Sequence, residues 1–307
     1  MTPRLLLALA LAVLGNQFAL AADRAALVRE AIIYLSPDTA SAKLGNVERG
    51  RELILLDARS DWLHVEALFG EEKTVTGWVL DKGAVRSTNP LGDRILYGEA
   101  VNSEDEGSRR HGRKGAAEDA RRLYYRVYDY FPNSPIAGEA LYRAADIQWQ
   151  IERADVMSRP SAREKDSFLR EGIDEQWMKM VMKKYPGSKW ADLAAFHLID
   201  NKLCGDWQGA SKCPDKEAEQ YEKYVKEHPQ SPAAPEALYN AATRRAALIE
   251  IYKTEEQSKK SDESKNRAIA LTQQLVSQYS QSDWSNRGQA LLFLLQQGVP
   301  TYGNAVQ

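Results

Sequence analysis

Four short junctions constrain this chain more than any other feature: Phe131-Pro132-x-Ser134, Tyr185-Pro186-x-Ser188, His228-Pro229-x-Ser231 and a degenerate Tyr279-Ser280-x-Ser282. The stretch from Pro132 to Ala145 matches that from Pro229 to Ala242 at 10 of 14 positions, so the chain carries an internal repeat. Proline has no amide to donate and restricts the residue before it, which ends a helix running into Pro132, Pro186 or Pro229. Ser134, Ser188 and Ser231 are then placed to cap the next helix, with Pro135 and Pro232 at its first position. Each junction therefore predicts a tight helix-turn-helix.

The flanking residues agree with that reading. After the first junction Ala137, Ala140, Leu141, Ala144, Ile147 and Ile151 recur at three- and four-residue spacing, as do Ala234, Ala237, Leu238, Ala241, Leu248 and Tyr252 after the third. The pattern predicts eight alternating helices over 116–131, 135–156, 164–185, 189–203, 215–228, 232–257, 263–279 and 283–297. The junctions recur at intervals of 54, 43 and 51 residues, measured between Pro132, Pro186, Pro229 and Ser280.

Ahead of this half, residues 22–87 read differently. The runs 31–35, 53–56, 62–65 and 76–79 are rich in branched and aromatic residues and are separated by Gly, Pro, Asp and Ser, which is the pattern of a small β-barrel. Residues 88–115 read as a connector, where Glu104-Asp105-Glu106 is followed by the basic run Arg109 to Lys114. Gly107 and Gly112 mimic part of a phosphate loop, but Arg113 stands where its lysine belongs and no strand precedes it.

The N-terminus reads as a secretion signal over residues 1–21. Arg4 precedes the apolar run Leu5 to Leu14, and Ala19-Leu20-Ala21 supplies small residues for cleavage. The run is about half the length that spans a bilayer, and no cysteine stands there to be lipidated. A periplasmic or secreted protein with no stable membrane insertion is expected. Cys204 and Cys213 are the two cysteines, and in an oxidising compartment they most simply form a disulfide. Loop-closure entropy makes such a bridge worth about 2.5–3 kcal/mol.

Both halves resemble known families. Tyr34-Leu35-Ser36-Pro37, Lys43-Leu44-Gly45-Asn46-Val47, Gly50, Trp62-Leu63-His64-Val65 and Gly77-Trp78-Val79 resemble, in that order, bacterial SH3-like domains. Residues 116–297 resemble tetratricopeptide repeats, above all those of outer-membrane barrel-assembly lipoproteins, which share the aromatic-Pro-x-Ser-x-x-Ala-x-x-Ala pattern. The resemblances imply a multidomain protein, an all-β SH3-like barrel (22–87) followed by a linker (88–115) and an all-α helical repeat superhelix (116–307). They imply envelope proteins or peptides as partners for the repeats, and peptide or peptidoglycan for the barrel.

Composition and motifs point away from chemistry. Lys plus Arg number 41 against 43 Asp plus Glu, a formal net charge of -2, so no global field draws nucleic acid. The four histidines are dispersed, and neither His-Glu-x-x-His nor Gly-x-Ser-x-Gly occurs. We expect a non-catalytic scaffold without cofactor or metal, or else a peptidoglycan-targeting accessory factor for cell-wall hydrolysis.

Candidate contacts in the barrel are Tyr34, Trp62 and Trp78. Each tryptophan is either a groove aromatic or core, and Tyr34 is the aromatic expected to be exposed. In the repeats the candidates are Arg143, Gln148, Asn240 and Arg244, with Trp149 as an aromatic anchor. Arg244→Ala is expected to weaken capture of a partner without unfolding the helices. Trp207, between the cysteines, either plugs a helix pair or is displayed.

Overall fold

The computed structural model describes residues 23–69 and 73–303. The expected signal segment, 1–21, lies outside the described residues. An antiparallel seven-stranded sheet comes first and helices follow, so the chain combines a β unit with a helical unit.

The strands are β1 (Arg24–Leu27), β2 (Ala31–Tyr34), β3 (Lys43–Val47), β4 (Glu52–Arg59), β5 (Trp62–Phe69), β6 (Lys73–Leu80) and β7 (Ala84–Arg86). Their order is β3-β2-β6-β5-β4-β1-β7. The strict alternation of β5 decides which face is buried: Leu63, Val65 and Ala67 are buried, while Trp62, His64 and Glu66 point the other way. Leu27, Ile33, Val47, Leu53 and Val79 complete the core on the same side as Leu63.

Nine α-helices are described: α1 (Gly92–Ser108), α2 (Ala116–Tyr130), α3 (Ala137–Ser158), α4 (Gln176–Lys184), α5 (Lys189–His197), α6 (Lys212–Glu227), α7 (Ala234–Thr254), α8 (Ser258–Gln278) and α9 (Asp283–Gln297). The junction residue adopts the same backbone each time, with φ/ψ of -127/57 at Phe131, -128/54 at Tyr185, -129/56 at His228 and -125/41 at Tyr279. In all four the junction residue's amide closes the last helical turn, and the serine amide donates back to its carbonyl at 2.9–3.2 Å. The repeat seen in sequence is thus a repeat of backbone geometry.

Tertiary packing repeats as well. Trp190 stacks on Tyr142 at 5.5 Å and Trp284 packs on Tyr239 at 5.3 Å, and each pair joins equivalent positions of successive copies. The junction ring also reaches back to the preceding copy. A Cβ on Gly138 would meet the Tyr185 ring at 3.2 Å, and the Tyr279 hydroxyl donates to the Pro229 carbonyl at 2.6 Å.

Three expectations are corrected. The connector 88–115 contains α1, whose Leu96, Ala100 and Ser103 are buried against α2. Phe131 lies over Gly92 just as Tyr185 lies over Gly138, so α1 stands to α2 as α3 stands to α4, without a junction of its own. The helix expected from residue 164 begins at Gln176. The segment before it is pinned in irregular form, with Arg170 donating to the Leu203 carbonyl at 2.6 Å and the Asn201 side chain pairing both backbone groups of Ile173 at 2.9 Å. The capping scheme holds at Ser188, which accepts from Ala191 N; Ser282 of the degenerate junction also caps its helix, accepting from Trp284 N. After the other two junctions a turn intervenes and the helices start at Ala137 and Ala234. There Ser134 and Ser231 accept from the amide two residues on, and Pro135 and Pro232 precede the helix.

The β unit is docked rather than tethered. Ala26 and Val85 share one apolar cluster with Leu96, Ala100, Leu123 and Val127. Arg122 Nε donates to the Arg49 carbonyl at 2.8 Å and Arg126 Nε to the Gly50 carbonyl at 3.2 Å. Arg24 bridges Glu52 and Asp129. Gly50, at φ +71°, lies so close to α2 that an added Cβ would meet Arg122 Cβ at 2.6 Å and Leu123 N at 2.8 Å. Both its backbone and its lack of a side chain are needed there.

Candidate functional site

The outward face of the sheet carries the aromatics. Cross-strand registers place Trp62 opposite Leu80 and His64 opposite Trp78, with Tyr34 pairing Trp78 from β2. Because directly opposed residues share a face, Tyr34, Trp62, His64, Trp78 and Leu80 form one surface. Trp78 is covered on it: His64 stacks at 4.7 Å and the Arg59 guanidinium sits at 5.1 Å. Trp62 meets Tyr34 edge-on at 5.5 Å. Tyr34, expected to be exposed, is only 8 % exposed, because Trp62 and the β6 backbone lie against it.

Beside this surface the sheet opens. β2 pairs with β6 only at Tyr34, after which the two strands diverge. The β6 chain leaves through a turn at Gly83, φ +82°, whose carbonyl takes the Val28 amide at 2.9 Å. The divergence leaves a groove of about 730 Å³ with Val28, Ala31, Ile32 and Tyr34 on one side and Leu80, Lys82 and Gly83 on the other. Leu80, one of its lining residues, is exposed. This is the size and composition of a ligand cleft, largely apolar with a few polar groups at the margin. Of the sequence candidates it includes Tyr34. Ile32, Leu80 and Lys82 were not singled out by the sequence, because the groove arises from which strands become neighbours.

The candidates of the helical unit are engaged internally. Arg143 pairs with Glu104 at 2.9 Å and bonds the Tyr124 hydroxyl, locking α3 to α1 and α2. Burial pushes the Tyr124 hydroxyl up, and the Glu104 carboxylate it donates to pushes the same way. Beside them Tyr97 donates to Glu139 at 2.6 Å and is raised to about 12, by burial first and then by that bond. Trp149 is 2 % exposed and its Nε1 points to Asp200 at 3.4 Å, so it is core rather than an anchor. Gln148 donates to Glu152, one turn along the same helix.

Arg244 is held most firmly. Its Nε donates to Glu217 at 2.9 Å, and its guanidinium lies 4.8 Å from the centre of the Tyr221 ring. Glu217 is 2 % exposed and also accepts from the Cys204 amide at 3.0 Å and from Trp207 Nε1 at 3.1 Å. One buried carboxylate therefore gathers α7, the loop and its tryptophan. Cys204 and Cys213 lie at disulfide distance, their Cα atoms 6.0 Å apart. Trp207 is half-buried, held by Glu217 and packed against Tyr302 at 5.7 Å. Asn240 is half-buried, and its backbone and side-chain oxygens each accept from Arg244 at 3.3 Å.

Between α3 and α5, His197 meets Asp146 and the Tyr142 hydroxyl, both at 3.2 Å. Nearby Glu236 makes no hydrogen bond or ion pair among the described residues. Burial and the like charge of Asp200 raise its carboxyl, against the pull of His197 and Arg287. Among the described residues no group of three or more His, Cys, Asp or Glu is arranged to hold a metal ion. No described helix is long and apolar enough to cross a membrane.

A scan against known protein families finds none that matches this chain. No curated protein matches it either.

Proposed function

We propose that this chain is a non-catalytic binding and scaffolding protein of the bacterial cell envelope. In this reading it is exported by its N-terminal segment, its β unit is an SH3-like domain and its helices are a tetratricopeptide-like array. The observation that carries the binding reading is the apolar groove between β2 and the β6–β7 turn, continuous through Tyr34 and Leu80 with the aromatic face of the sheet. A groove beside a strand suits an extended peptide, which adds backbone hydrogen bonds along the strand and places alternate side chains in the cleft. The fourfold junction geometry supports the repeat reading, and the docked seam makes the helical array the rigid mount for the β unit.

The test is a cross-linked pull-down from intact envelope with wild type, Leu80→Lys and Asn240→Lys. The reading expects partners to be lost with Leu80→Lys and kept with Asn240→Lys; the opposite pattern moves the site to the helices. A second reading, peptidoglycan targeting in support of a hydrolase, is favoured by the half-buried Trp62 on the aromatic face. Sedimentation with purified sacculi separates the two, since robust binding abolished by Trp62→Ala selects the second. Point changes are preferable to removing residues 22–87, because that deletion would expose Leu123 and Val127 of α2.

A further inference from the structure

The groove ends at Arg29 and Glu30, and these same residues form one wall of a second cavity, of about 630 Å³. It lies at the seam of the two units, where the loop after β3 faces the turn between α1 and α2. Most charges around it are matched. Asp119 is held by Arg113 and Arg122, Glu48 by Arg51 at 2.7 Å, and Glu99 by Arg29.

Among the half-buried charges of the lining, Arg49 is the one without a counter-charge among the described residues. It is half-buried, and the one side-chain contact it makes among the described residues is from Nη1 to the Ser103 hydroxyl at 3.4 Å, a residue with no exposed surface. Lys114, contributed by the helical unit and exposed, has no carboxylate partner among the described residues either. The unmatched carboxylates of the lining are Glu30, which accepts from Asn46 at 2.9 Å, and Glu118; both are exposed at the rim. A partly desolvated guanidinium without a counter-charge is costly, and a planar carboxylate is the group that its fork of donors fits best.

We propose that the seam cavity receives the free α-carboxylate of an extended peptide whose preceding residues lie in the apolar groove. The proposal rests on the groove reading above and names its ligand: a peptide chain end, apolar along its length and anionic at its terminus. The site is composite, with Arg49 from the β unit and Lys114 from the helical unit, so it is complete only while Gly50 keeps the two units in contact.

The experiment uses hexapeptide arrays synthesised in pairs, each sequence once with a free carboxylate and once as the C-terminal amide, probed with the full chain. Binding is expected to favour the carboxylate member of a pair by tenfold or more, and Arg49→Gln is expected to remove that preference while leaving residual groove binding. Arg49→Gln keeps the backbone carbonyl that Arg122 uses, and an unchanged melting temperature checks that the seam is intact. Binders indifferent to the carboxylate, or a preference that survives in Arg49→Gln, overturn this proposal alone. Absence of any binder on either array overturns the groove reading with it.

Discussion

The helical and β units differ in what their conspicuous residues are used for. On the helices, Arg143, Trp149 and Arg244 lie on the stripe expected to meet a partner, yet each is satisfied by its own chain through Glu104, Asp200 and Glu217. On the sheet, one face is buried and the other is left over, and the strand divergence beside it opens a groove with no side chain filling it. A helix in a stacked array has neighbours on several sides, so a long polar side chain there usually finds an internal partner. A strand at a break in a sheet has fewer, and a groove stays open beside it.

The variant with the largest expected effect is Arg244→Ala. If the helical residues hold structure rather than ligand, this change strands the buried Glu217 carboxylate and costs about 3–5 kcal/mol in denaturant unfolding. A stability change within about 0.5 kcal/mol, as for a surface residue, would place Arg244 back among the contacts. Gly50→Val comes next. Left-handed strain and collision with α2 together should cost about 2–4 kcal/mol and raise hydrogen exchange along α2, whereas a loosely tethered β unit would show neither.

Leu80→Lys should leave stability within about 0.5 kcal/mol while abolishing peptide binding, because Leu80 is already 37 % exposed. The smallest effect belongs to Glu236→Gln. A carboxyl whose native pKa is raised stabilises the fold below its unfolded value, about 4.3, and that contribution is lost as pH rises through the native value. The glutamine variant should therefore melt slightly higher than wild type at pH 7, and the difference should vanish on acidification below pH 4. A difference that grows on acidification would contradict the placement of Glu236 beside Asp200.

Much of the fold was legible because its signals are local. Proline and serine at the junctions act within a few residues, and the four copies share one backbone geometry. The strands at 31–35, 53–56, 62–65 and 76–79 were readable from their branched and aromatic content. Helix α1 was not, since its start lacks the proline-serine signal and its charged end, Glu104 to Glu106, reads as solvated. Only packing shows that Glu104 binds Arg143 across to α3. Spacing alone predicts helix over residues 164–175, whereas the Leu203 carbonyl, which accepts from Arg170, and the Asn201 side chain, which pairs with the Ile173 backbone, hold them open. The site was legible as a set of aromatics but not as a groove, because nothing local says that β2 lies beside β6 and leaves it after one residue pair.

Hydrogen exchange of the full chain, with and without a hexapeptide selected on the arrays, tests where the ligand sits. The account predicts protection of residues 28–34 and 80–83 and no change over 236–244. Protection confined to 139–153 and 236–244, with the β unit unaffected, would contradict it.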